Sequence, residues 1–94
     1  MTARGTPTVL IDNDRVRVTR WRFVPGAATG WHRHEHDYVI VPLTDGSLTL
    51  VEPEGERQSD LTTGVPYFRE AGVEHDVVNA NEHEFEFIEI EVKG

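Results

Sequence analysis

The sequence predicts an all-β chain, folded as a small barrel or sandwich, on three observations. Short β-prone runs recur along its length, brief clusters of turn residues separate them, and no window carries helical periodicity of useful length. Ninety-four residues without a cysteine are expected to make one domain, residues 1–94, because two cores would each fall below the size that folds without staples. Only 37% of the residues are hydrophobic, a fraction that a closed sheet or an oligomer buries most efficiently.

The elements follow in order. Residues 8–11 form a first strand, stopped by Asp12-Asn13-Asp14, and residues 15–24 a longer one, stopped by Pro25-Gly26. Residues 31–34 and 38–43 come next, the latter ended by Asp45-Gly46. Residues 47–52 run into Pro53-Glu54-Gly55-Glu56, and Thr62-Thr63-Gly64 precedes a strand at 65–68. Ala71-Gly72 leads into residues 75–79, and residues 85–92 close the series. Two strands change phase partway: Val16 and Val18 oppose Trp21 and Phe23, and Phe85 and Phe87 give way to Ile88, Ile90 and Val92. With a period of two, such a slip calls for a bulge or a passage between sheets. The glutamate alternation in residues 82–91 reads as the solvated face of an edge or outer strand.

Charge excludes whole classes of partner. Seventeen acidic residues against nine basic ones give −8, which argues against nucleic acid and against an anionic membrane surface. The acidity is concentrated, with twelve acids and three bases in residues 52–94 against five and six in residues 1–51. No apolar run approaches the length that spans a bilayer, and the first seven residues hold no apolar signal core. A cytoplasmic location is the expectation.

Three of the five histidines stand in Trp31-His32-Arg33-His34-Glu35-His36-Asp37-Tyr38. On an extended strand His32 and His34 present two imidazoles to one side, which is metal-ligand geometry. His75 begins a later strand after a glycine turn, a separation that a barrel closes in space. His36 shares the parity of His32 and His34 but stands beside Asp37 at a turn, and His83 reads as a solvated loop residue.

These residues give the chain a specific resemblance to the small single-domain cupins. Gly26, His32, His34 and Gly46 fit the spacing of the first cupin motif, and Gly64, Gly72, His75 and Asn79 fit the second. The resemblance implies a cupin double-stranded β-helix, a jelly-roll barrel of two antiparallel sheets. It also implies one divalent transition-metal ion held by His32, His34 and His75, a ligand set that does not choose among iron, zinc, nickel and manganese. The chain departs from the family at two positions. The family's glutamate falls on Val39 or Tyr38, and its second-motif proline is Glu70. The wording of residues 31–43 further resembles short cupins grouped with β-alanine degradation proteins, which implies a place near amino-acid catabolism.

Three neutral imidazoles leave a divalent ion its full +2, so the site is expected to favour a small anionic metabolite. Tyr38 is the candidate catalytic residue, as fourth ligand, proton donor or pocket wall. Arg20 and Arg22 share a strand face opposite Trp21 and Phe23; if that face looks inward, they form a clamp for a carboxylate. The two tryptophans read as packing residues. The expected function is that of a metal-dependent enzyme of oxygenase or isomerase type, with a non-catalytic ligand-binding cupin as the alternative. A homodimer is expected, because residues 85–92 beside residues 8–11 offer more edge than one small barrel uses.

Overall fold

The computed structural model describes residues 3–94, so Met1 and Thr2 of the N-terminal segment lie outside it. The described residues form nine strands and no helix. They are β1 (Thr6–Asp12), β2 (Val16–Phe23), β3 (His32–Arg33), β4 (Asp37–Pro42), β5 (Gly46–Glu52), β6 (Gly55–Leu61), β7 (Tyr67–Arg69), β8 (Glu74–Val78) and β9 (Phe85–Val92). A five-stranded sheet in the order β1-β2-β9-β4-β7 faces a four-stranded sheet in the order β3-β8-β5-β6. All named strand pairs are antiparallel. No helix among the described residues is long and apolar enough to cross a membrane.

The core lies between the sheets. Phe23, Tyr38, Ile40, Phe85 and Phe87 come from one sheet and Leu48, Leu50, Leu61 and Val77 from the other. Trp21 and Phe87 flank Phe23, with ring centroids 5.8 and 5.5 Å away, the offset stacking that aromatic quadrupoles prefer. Asn79, fully buried, ties the turn after β2 to the end of β8. Its amide donates to the carbonyls of Phe23, Val24 and His83 at 3.0 to 3.3 Å, and its side-chain oxygen accepts from the Asn81 backbone and side chain.

Three sequence expectations are corrected. Residues 55–61 form β6, missed because six of its seven residues are polar or glycine; it is the edge of the four-stranded sheet and faces solvent almost throughout. The phase change in β2 and β9 needs no bulge, since the two strands pair without a break from Val16–Val92 to Phe23–Phe85. The irregularity falls in β1, between Val9 and Ile11. β9 is also no edge, for it runs between β2 and β4.

What changes along β2 and β9 is the chemistry of each face. Toward one end the inward side carries Trp21, Phe23, Phe85 and Phe87; toward the other, the same parity carries Arg17, Thr19, Glu89 and Glu91. The outer side does the reverse, passing from Arg20, Arg22 and Glu86 to Val18, Ile90 and Val92. Cross-strand register then lines up Ile11, Val18, Ile90, Val39 and Phe68 as one apolar row over the outside of all five strands.

Candidate metal centre

Backbone turns deliver the histidines. Gly26, at φ 83°, lets the chain reverse after β2, and Asn79 and Ala27 hold the returning segment through an Asn79 N–H bond to the Ala27 carbonyl. β3 then pairs with β8 so that His32 stands directly opposite His75. His34 lies past the end of β3 on the same side. It is held by two backbone bonds, its own N–H to the Val73 carbonyl at 2.9 Å and the Gly72 N–H to its carbonyl at 2.8 Å. Gly72 has a φ of 97°, a conformation that glycine alone enters without strain, so this residue permits the turn that clamps His34.

The three imidazoles meet through their Nε2 atoms, which are 2.9 Å apart for His32 and His34 and 3.0 Å apart for His34 and His75. His32 Nδ1 lies 2.9 Å from the Gly30 carbonyl, an acceptor only, so Nδ1 carries the proton and Nε2 presents its lone pair. Burial pushes the His34 pKa down to about 3, helped by His32 and His75, and the His75 pKa down to about 4, helped by His32. His34 and His75 are therefore neutral at physiological pH, and one proton on His34 Nε2 satisfies at most one of its two close contacts. A shared cation removes the conflict. Two nitrogens about 2.1 Å from an ion and at right angles around it lie about 3 Å apart, which matches both separations. The residues fit a metal ion.

The triad opens on a cavity of about 350 Å³ between the sheets, a volume suited to a small molecule. Its walls include Trp21, Ile40, Leu48, Val77 and Phe87, with Tyr38 beside the histidines. Burial raises the Tyr38 pKa, so its phenol stays protonated.

The cupin domain model matches residues 19–91, a span that takes in the whole triad. The chain belongs to the cupin family. A β-alanine degradation protein of Pseudomonas aeruginosa, BauB, is 60% identical over 96% of this chain and 95% of its own length. The crystal structure of a cupin domain from Bordetella pertussis covers 100% of this chain and 98% of that one at 56% identity, with a TM-score of 0.98. The polyketide cyclase RemF of Streptomyces resistomycificus is more distant, with 27% identity, a TM-score of 0.78, and coverage of 99% of this chain and 68% of its own.

The cupin barrel brings His32, His34, His75 and Tyr38 together and places the two arginines elsewhere. Arg20 and Arg22 lie on the outer parity of β2, about half exposed, where they pair with Glu86 at 2.9 Å and Glu84 at 2.8 Å. The clamp face looks outward because Thr19, Trp21 and Phe23 take the inner one. Of the two tryptophans, Trp21 packs in the barrel while Trp31 is 54% exposed. His36 lines the cavity without joining the triad, and His83 sits exposed, its Nδ1 bonded to the Glu84 carbonyl.

The cupin cavity also holds charged residues that sequence reasoning placed elsewhere. Arg17, Glu89 and Glu91 line it from β2 and β9, with Arg17 3.6 Å from Glu91 and 3.7 Å from Asp12. The glutamate alternation thus splits by parity, Glu84 and Glu86 outside and Glu89 and Glu91 inside. The signal was present in the odd spacing they share with Phe85 and Phe87. Burial, reinforced by Glu91, pushes the Glu89 pKa up to about 7.

Proposed function

We propose that this cupin is a metal-dependent enzyme of oxygenase or isomerase type, acting on a small anionic metabolite in amino-acid breakdown. The observation that carries the reading is the convergence of three imidazole nitrogens on the wall of a cavity of metabolite size. His32, His34 and His75 would hold one divalent transition-metal ion, and the bound ion supplies Lewis acidity at coordination positions that three protein ligands leave open. Tyr38, protonated and buried against His34, donates a hydrogen bond to a ligand oxygen and holds a proton there. The apolar wall from Trp21 to Phe87 limits water around the reacting atoms. The name of the Pseudomonas relative, a β-alanine degradation protein, supports the metabolic setting.

The test is metal analysis of protein purified without added metal, followed by oxygen uptake and product detection with a panel of small carboxylates and keto acids. Stoichiometric metal that is lost in the His32→Ala, His34→Ala and His75→Ala variants, together with a new product, supports the reading. Full metal retention in all three variants would falsify it. Saturable binding with no product would identify a ligand-binding cupin instead.

The partner we assign is a second copy. The apolar row Ile11, Val18, Ile90, Val39 and Phe68 crosses the outer face of the five-stranded sheet, and β1 beside it leaves Val9, Leu10 and Ile11 about half exposed. A long apolar edge strand next to an apolar face is a pairing surface. The same patch on two copies is self-complementary, as a two-fold dimer requires.

A further inference from the structure

The cavity has two chemically different walls. The four-stranded sheet contributes His32 and His75, and the five-stranded sheet contributes Glu89 and Glu91 from adjacent inward positions of β9. Arg17 reaches Glu91 and Asp12, and among the described residues no basic group lies within salt-bridge distance of Glu89. Across the ladder, Glu89 faces buried Thr19 on one side and buried Ile40 on the other. The buried Trp21 indole N–H lies beside the Glu89 carboxyl, toward which it donates, and has no other partner. A carboxyl with no ion-pair partner, steadied by one indole N–H, thus stands on the wall of the cavity that the triad opens on.

We infer that Glu89 is the specificity residue of this cavity and that it selects ligands carrying a protonated amine, so that the preferred ligand is a small amino acid rather than a simple carboxylate. The inference deepens the proposed metal-dependent function and rests on it for the carboxylate end, which the triad's ion would attract. The amine end rests on β9 alone. A cationic amine entering the cavity finds in Glu89 the carboxyl on the β9 wall that is not ion-paired with Arg17, and in a half-buried site such a pair is far less screened than at the surface. Burial, which raises the Glu89 pKa, is offset when a cation arrives, so the charged carboxylate is favoured by the ligand it recognises.

The experiment is calorimetric binding of straight-chain amino acids of two to six carbons, each against the carboxylate of equal length, to protein loaded with nickel. Wild type is expected to prefer the best amino acid over its deaminated match by tenfold or more. In Glu89→Gln the preference should vanish while nickel content and the circular dichroism spectrum stay unchanged and carboxylate affinity holds or rises; Arg20→Gln, on the outer face, should leave all of them as in wild type. Equal affinity for both ligand series in wild type, or an undiminished preference in Glu89→Gln, overturns the inference. Thermal shifts of the metal-free protein with simple alkylamines separate the two readings. A Glu89-dependent shift without nickel uptake would sink the metal reading and leave this one standing, and nickel uptake without amine preference would do the opposite.

Discussion

The His34 imidazole lies on the Tyr38 ring, with centroids 3.9 Å apart and planes 21° from parallel. One aromatic side chain therefore orients a metal ligand with its face and offers a hydroxyl to the cavity with its edge. The two roles separate by substitution. Tyr38→Phe keeps the stack, so metal content should match wild type while turnover drops by a factor on the order of 100, typical of losing a general acid. Tyr38→Ala removes a core ring that is 2% exposed and should cost about 3 kcal/mol of stability as well as weakening metal binding. Denaturant melts and metal analysis of the pair decide it; equal metal loss in both variants would mean that the hydroxyl is itself a ligand.

Acid should destabilise the metal-free protein. His34 and His75 have folded pKa values of about 3 and 4 against 6.5 when free. The stability they contribute is therefore complete above about pH 6.5 and is lost as pH falls through those values. Glu89 acts in the opposite sense. Its pKa of about 7 lies above the ordinary 4.5, so its contribution is present below pH 4.5 and lost as pH rises through 7. Two histidines outweigh one glutamate on the acid side, so melting temperature should peak between roughly pH 6 and 7. Glu89→Gln should flatten the fall between about pH 6.5 and 7 and steepen the acid arm above about pH 4.5, where Glu89 opposes the two histidines. A wild-type melting temperature unchanged between pH 4 and 8 would refute both assignments.

Asn79 should be the most sensitive polar position in the barrel. It is fully buried and joins three backbone carbonyls to the Asn81 segment. Truncation to alanine strands those carbonyls in a dry site, at a cost of about 1–3 kcal/mol for a buried group left unpaired. For a chain of this size the melting temperature should fall by roughly 5–20 °C. The turn before β3 should loosen with it, so metal affinity falls although no ligand has been touched. A melting temperature within about 2 °C of wild type would show that the turn holds itself.

Association should fail when the apolar row is charged. Ile90 sits at its centre, between Val18 and Val39. Ile90→Glu is expected to shift the species in light scattering from two chains to one while circular dichroism and metal content persist. A wild type that is already one chain at micromolar concentration removes the basis for the second copy.

How much of this was legible in the sequence depends on what each residue faces. The pair His32 and His34 followed from strand parity, which holds wherever a backbone is extended. His75 and Asn79 came from the resemblance to the second cupin motif, and Gly26 and Gly72 of the two motifs take positive φ angles. Glu89 and Glu91 were read as solvated for one reason, whereas the outward Arg20 and Arg22 follow the ordinary rule beside inward Trp21 and Phe23. Reading periodicity assumes that the apolar face of a strand looks inward along its whole length, and in β2 and β9 that holds only for the closed half of the barrel. Where the cavity opens, the inner face turns polar and the outer face apolar, so pattern alone inverts the assignment. β6 escaped because an exposed edge strand needs no apolar residues, and Leu61 is its only buried side chain.

The polarity of β6 sets how far assembly can go. At this rim of the smaller sheet, backbone donors and acceptors face water beside Glu56, Arg57, Gln58 and Asp60, side chains that discourage a further strand from docking. The apolar row lies on the other sheet, and the two-fold contact proposed there would cover it on both copies at once. If the proposed pair forms through the other sheet, this polar rim favours growth stopping there rather than the endless stacking to which open sheets are prone.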